Sequence, residues 1–318
     1  MLDVQSMIYY EQAPVGIAHL DYSSPSTLPI PLTTSSTKLW EAPDDQSWAR
    51  LIDVTPPLET VNTVLSKPIT AEDIARAPPV DAAILVAACG LRLPRRQSLT
   101  KIQAKVDILP LDGAELALVR LFSQTGIANT YLALHFTPLH MLLSVSGESW
   151  VFNNKIFRGT MFSEHRQYLD QWIRSESVVM AVAFASRALR AFLGLTTAMI
   201  ADGGGSFVEQ ARGVPWMDLS DYWGVYVCAL ICWAYGQGAD DEEDADNDAS
   251  RRTGLRWILT VSEMEPGQLE EWPQRRNTLA VVCLARDVLA RDCVGGRNIL
   301  FADAVSVLRK LGRSDGWD

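Results

Sequence analysis

Ser220-Asp221-Tyr222-Trp223-Gly224-Val225-Tyr226-Val227-Cys228-Ala229-Leu230-Ile231-Cys232-Trp233-Ala234-Tyr235-Gly236 is the stretch whose reading decides the fold. From Tyr222 to Tyr235 it is apolar on every side for 14 residues. A helix apolar all round is enclosed either by a protein core or by lipid. At about 1.5 Å per residue this one is too short for a bilayer about 30 Å thick. Asp218, Ser220 or Asp221 supplies a cap, and Gly236 a stop. The stretch is predicted to be a buried core helix.

Working outward, the same helical signal recurs. Val178 to Ile200 is long enough to span a membrane, but Arg187 and Arg190 sit at its centre. Each would cost about 2.5–3.5 kcal/mol on insertion. It reads as a soluble helix with both arginines on one polar edge. Further upstream, Ser163 is expected to cap a helix holding Tyr168, Leu169, Trp172 and Ile173. From Asp112 onward the helix signal is nearly continuous, with Leu116, Val119, Leu121 and Phe122 at helical spacing, and Tyr131 to Val145 continues it with a break or kink at Pro138. Val80 to Leu91 is a helix ending at Gly90, and Thr70 caps a shorter one before Pro78-Pro79. Pro43 fits a first helical position, followed by Asp44 and Asp45, with Trp40, Trp48, Leu51 and Ile52 on the apolar side. Residues 1–35, rich in Ser, Thr and Pro, read as a flexible linker.

Downstream, Asp240, Asp241, Glu242, Glu243, Asp244, Asp246 and Asp248 form an acidic block, expected as a solvated loop over residues 237–250. Thr253–Met264, Trp272–Cys293 and Asn298–Leu311 follow as three helices. In the last, Leu300, Ala304, Val307, Leu308 and Leu311 make a core-facing stripe. Runs of alternating apolar and polar residues are few. The predicted fold is all-α: a single large multi-helix domain over residues 36–318, behind an extended Pro/Ser/Thr-rich N-terminal segment.

Composition narrows the function. In 318 residues, 48% are hydrophobic and 21% charged, which suits a packed core. The net charge of −10 disfavours binding to polyanionic DNA, whose affinity for proteins comes largely from basic side chains displacing counterions. Cys89, Cys228, Cys232, Cys283 and Cys293 are scattered and odd in number, and no Asn-x-Ser/Thr triplet occurs. Both features suit a reducing compartment. Asp3 and the lack of a basic start followed by an apolar run argue against a secretory leader at Met1–Tyr10.

Candidate chemistry fails motif by motif. Cys228 and Cys232 share a helix face, but zinc needs four ligands and no second close pair exists. Their neighbours are apolar, so they read as core cysteines. Asp244, Asp246 and Asp248 start like a calcium loop, yet Ala249 and Leu255 stand where Gly and Glu are required. Gly147-Glu148-Ser149-Trp150-Val151 is half of a Gly-x-Ser-x-Gly elbow. His19, His135, His140 and His165 are not tied to a nucleophile by any spacing. Gly203-Gly204-Gly205 lacks the Gly-Lys-Ser/Thr ending of a phosphate loop and reads as flexible. Gly295-Gly296 is a helix cap. The ten tryptophans, Trp150, Trp172, Trp216, Trp223, Trp233, Trp257 and Trp272 among them, are expected to pack the core. No catalytic, cofactor-binding or metal residue is assigned. The competing expectation is a small-molecule sensor or enzyme with an aromatic-lined pocket. Its candidate polar groups are Arg187, Arg190, Glu148, His165 and Tyr222.

Four segments carry a family resemblance. They are Thr37-Lys38-Leu39-Trp40-Glu41-Ala42-Pro43 with Trp48, then Leu139 through Trp150 with Lys155-Ile156-Phe157, then Ser220 through Trp233. The fourth is Asp292-Cys293-Val294-Gly295-Gly296-Arg297 with Asp303-Ala304-Val305 and Val307-Leu308. As a set, over residues 37–311, they resemble the helical regulatory region of fungal transcription factors with two-Cys, two-His zinc fingers. The resemblance implies a nuclear effector region that regulates RNA polymerase II transcription through protein partners. A homodimer is compatible with it, and no cofactor or membrane is implied. Family members carry DNA-binding fingers N-terminal to this region, and Met1 falls in the linker expected to follow them. No Cys-x-x-Cys or His-x-x-x-His pair is present. DNA contact is therefore expected from a part or partner other than these residues.

Overall fold

The structure, a computed structural model, describes residues 30–54, 58–93, 111–147, 150–151, 154–155, 160–196, 219–237, 247–270, 272, 277–292 and 299–312. The fold is all-α. Among the described residues there are fifteen helices, one two-residue antiparallel ladder pairing Trp150 with Lys155, and an isolated bridge between Pro31 and Thr60. By its contacts the chain groups into two compact units. Of the described residues, unit 1 holds those within 30–93 and 111–123, and unit 2 holds those from 124 onward.

Unit 1 is built from short helices with well-made starts. Helix α1, Thr33–Trp40, begins where the Asp81 carboxylate accepts from Thr33 N, Thr33 Oγ1, Thr34 N and Thr34 Oγ1 at 2.7, 2.8, 3.1 and 3.0 Å. One buried carboxylate thus satisfies two of the orphan N–H groups at that helix end and complements its dipole. Residues 33–35, read from sequence as linker, belong to a helix. Leu32 N donates to Glu59 O, Val61 N donates to Ile30 O, and α1 starts at Thr33. Helix α2, Asp45–Val54, is capped by Asp44, whose Oδ1 accepts from Ser47 N at 2.6 Å. Pro43 therefore precedes the cap instead of opening the helix, because the carboxylate claims the free N–H. Helix α3 is Val61–Leu65. Helix α4, Ala71–Arg76, is capped by Thr70, as its sequence predicted, and Asp73 completes a reciprocal cap. Helix α5, Pro79–Gly90, has proline at its first position, and α6, Gly113–Phe122, has a second reciprocal cap from Asp112 and Glu115. Leu39, Val61, Ile74, Leu85, Val86, Leu118 and Phe122 are buried.

Unit 2 is organised on two long helices, α10 (Glu176–Phe192) and α11 (Leu219–Gly236). Every residue from Val225 to Tyr235 is buried, as the opening stretch predicted. Helices α7 (Gly126–His135), α11 and α12 (Asn247–Glu263) pack on α10, while α14 (Thr278–Asp292) packs on α11, α12 and α15 (Ile299–Leu311). Helix α8 (Leu139–Val145) lies against α9 (Thr160–Ile173), and α13 (Pro266–Glu270) is a short addition. Pro138 separates α7 from α8, as expected.

Several predicted ends move. Helix α10 stops at Phe192, not Ile200. Gly194 adopts φ +60°, and Gly194 N and Leu195 N donate back to Ala191 O and Arg190 O, closing the helix end. Helix α9 already includes Thr160, so Ser163 is internal. Helix α14 begins at Thr278, beyond Pro273, where Trp272 had been expected to start it. Helix α12 begins at Asn247, inside the segment read as an acidic loop.

Close approaches depend on glycine. A Cβ built at Gly126 or Gly224 would lie 2.5 or 2.7 Å from the Phe192 ring, so this ring fills a slot between α7 and α11. A Cβ at Gly254 would lie 2.6 Å from Ala280 O, which sets how near α12 approaches the α14 backbone.

Candidate functional site

The two arginines that argued against a membrane span have a definite task in unit 2. Arg187 donates from Nε to Ser262 O and from Nη2 to Met264 O, both at 3.2 Å. Arg190 Nη1 reaches Ser262 Oγ at 3.2 Å and Glu263 Oε1 at 3.1 Å. These acceptors lie at the C-terminal end of α12, where carbonyls lack helical partners and the dipole is negative. The arginines therefore tie α10 to that end. The Arg187 guanidinium also stands 5.4 Å from the Phe184 ring centre. Burial lowers the Arg187 pKa, against the opposing pull of Glu265.

Cys228 and Cys232 lie fully buried in α11. Burial pushes the Cys228 thiol up to about 12, with Thr130 Oγ1 at 3.7 Å from its Sγ. Burial and the neighbouring Cys228 raise Cys232 further. Metal ligation requires thiolates, which this environment opposes. Among the described residues, no three His, Cys, Asp or Glu side chains form a group able to hold a metal ion. We expect a thiol reagent at pH 8 to leave both cysteines unmodified in the folded chain, since both are fully buried and burial keeps their thiols protonated. Both should react in denaturant. Peptide mapping after each treatment checks this, and labelling of Cys228 without unfolding would contradict the burial.

Sequence reasoning missed one polar cluster. Ser144 Oγ lies 2.7 Å from His165 Nδ1, and the His140 ring stands edge-on to His165 with centres 5.5 Å apart. His140 and Ser144 are four residues apart on α8, so they share a face, and that spacing was the available signal. His165 comes from α9, 21 residues beyond Ser144, which local pattern cannot reveal. Burial lowers the His165 pKa, with Glu164 opposing. Burial and His165 both lower that of His140. Ser144 is itself buried, so the bond ties α8 to α9 and leaves no open approach to its oxygen.

A pH dependence follows. Both folded-state pKa values lie below the unfolded value, so this contribution to stability is fully present above about pH 6.5. It is lost as pH falls from there through the folded pKa values, because the unfolded chain takes up protons first. Each such proton is worth about 1.4 kcal/mol per pH unit. Melting temperature should therefore fall between pH 6.5 and 5. His165→Gln should flatten that slope, and an unchanged slope would assign it to other groups.

The other candidates are dispersed. Tyr222 is half-buried on α11. His135 ends α7 with its ring edge-on to Phe136. Glu148, Ser149, His19, Trp216, Gly203–Gly205, Gly295-Gly296 and the acidic residues 240–246 lie outside the described residues. Around the half elbow, Gly147 takes φ +106° after α8, and a strand follows where a nucleophile elbow needs one before it. Trp172, Trp233 and Trp257 are buried, and Trp172 Nε1 donates to Phe136 O at 2.8 Å. Trp40 and Trp48, by contrast, are exposed. Unit 1 has an open cavity of about 300 Å³. It is lined by Leu32, Val64, Ile69, Ile74 and Leu85, and Lys67 on its rim pairs with Glu59 at 3.7 Å. That lining is aliphatic and charged. No helix among the described residues is long and apolar enough to cross a membrane.

Comparison with family models, curated proteins and solved structures found no match to this chain.

Proposed function

We propose that the chain is the effector region of a fungal zinc-finger-type regulator of RNA polymerase II transcription. It acts in the nucleus by binding protein partners, and DNA is contacted by a part or partner other than these residues. The transcriptional content of this reading comes from the four-segment resemblance over residues 37–311. The first segment runs from α1 into α2, the second forms α8 and the strand after it, the third is α11, and the fourth joins α14 to α15.

One observation supports an interaction role over chemistry. The polar groups best suited to reaction are committed to holding helices: Arg187 and Arg190 at the end of α12, Ser144 with His165, and the thiols in the core. Large apolar side chains, meanwhile, face outward on α1 and α2. The net charge of −10 is adverse to nucleic-acid binding.

The test is a fusion of the full chain to an unrelated DNA-binding domain beside a reporter gene. A several-fold rise or fall in reporter RNA is expected, and none from the DNA-binding domain alone. Unchanged RNA would overturn the reading. So would sequence-specific DNA binding by the unfused chain at physiological salt.

A further inference from the structure

Helix α2 is unlike the other helices of unit 1. It is ten residues long and strongly amphipathic, yet none of its residues is buried. At 100° per residue, Ser47 and Leu51 lie on one side, and both are half-buried. Trp48 and Ile52 lie beside them, each 44% exposed. Asp45 borders that pair on its open flank, Asp53 lies further round the same flank, and Arg50 falls on the far side. Val54, at the end of α2, is 77% exposed, and Trp40, at the end of α1, is 81% exposed. Asp44, the cap, adds a further exposed carboxylate.

We propose that α2 is a ligand helix: its Trp48/Ile52 strip, edged by Asp45 and Asp53, seats in an apolar groove rimmed by lysine or arginine on a protein partner. Apolar residues one turn apart, here Trp48 and Ile52, are anchors of helix-in-groove recognition, and tryptophan is among the side chains that contribute most at such contacts. Charge selects the partner. The acidic edge is complementary to a basic rim and repels nucleic acid and anionic lipid, whose surface helices carry lysine and arginine instead. A two-fold pairing of α2 with a second copy would put the same acidic edge on both sides. The inference rests on the regulatory reading for the setting in which the partner is met, not for the surface itself.

The test uses the full chain and a fluorescein-labelled 18-residue amphipathic peptide of leucine and lysine, with a leucine–glutamate peptide of the same pattern as control. Fluorescence anisotropy at physiological salt should show saturable binding of the lysine peptide only. Trp48→Ala/Ile52→Ala should weaken it at least tenfold, and Asp45→Ser/Asp53→Ser about threefold. Each apolar side chain is 44% exposed, so the alanine pair should lower the melting temperature moderately, and binding is compared where circular dichroism shows every variant folded. Equal binding by the Trp48→Ala/Ile52→Ala variant would overturn the proposal, assigning the attraction to overall charge. So would equal binding of the glutamate peptide, a concentration-dependent dimer lost in that variant, or binding to phosphatidylserine vesicles. The reporter fusion separates the two readings. Regulation that persists in the Trp48→Ala/Ile52→Ala variant counts against α2 alone. No regulation by wild type, with peptide binding intact, counts against the transcriptional reading alone.

Discussion

Replacing Gly254 by alanine is expected to lower the melting temperature of unit 2 by about 5–10 °C, equivalent to about 2–3 kcal/mol. On an isolated helix the same change would stabilise by about 1 kcal/mol, because alanine is the better helix former. Here the new methyl group would lie 2.6 Å from Ala280 O and 2.8 Å from its carbonyl carbon. Both atoms belong to backbone inside α14, which cannot rotate aside as a side chain would. Helices α12 and α14 would have to separate, loosening the contacts of buried Val281, Leu284 and Ile258 and the bond from Arg251 to Asp287 at 2.8–2.9 Å. Gly267→Ala is the control, since nothing lies within 4 Å of its added Cβ. It should leave the midpoint unchanged or raise it by up to about 3 °C. Thermal unfolding followed by circular dichroism compares the two variants. Equal midpoints would mean that α12 and α14 are not so closely packed.

Asp81→Ala should be the most damaging single change in unit 1, at about 3–5 kcal/mol. It removes the acceptor of four hydrogen bonds at the start of α1 and leaves the Thr33 and Thr34 N–H groups without it. Amide exchange in α1 should accelerate in step with the fall in unfolding midpoint. Asp81→Asn, which keeps the shape but not the charge, should retain part of the stability. Burial pushes the Asp81 carboxyl up, but donation from Thr33 and Thr34 outweighs it and holds the pKa below the ordinary value. This contribution is therefore present above about pH 4 and lost as pH falls through the lower folded value. The variant should lack that acid limb. Unchanged exchange in α1 would show that its start is held by other means.

The helix starts that could be read in sequence were those whose cap and first turn are neighbours in the chain. Thr70, Asp112 and Pro138 act on backbone within four residues, whereas Pro79, read as part of the stop before the helix, is its first residue. Helix α11 was legible because fourteen apolar residues admit few other readings. The misplaced ends had distant or subtle causes. Gly194 ends α10 through backbone conformation, and Asp81 starts α1 from 48 residues away. The candidate site divides along the same line. The placement of Arg187 and Arg190 on one polar edge was readable, but their partners at Ser262 and Met264 were not. Trp48 and Ile52 were recognised as the apolar side of a helix, whereas their exposure depends on which neighbours unit 1 provides, and periodicity carries no such information.

The Phe192 slot has a consequence for motion. One ring closes against backbone from both α7 and α11, at positions with no side chain of their own. Neither helix can swing away without uncovering the ring, and α10 cannot withdraw without opening a void between the other two. The three helices should therefore open together and set the slowest breathing of unit 2, with fraying confined to elements outside that trio.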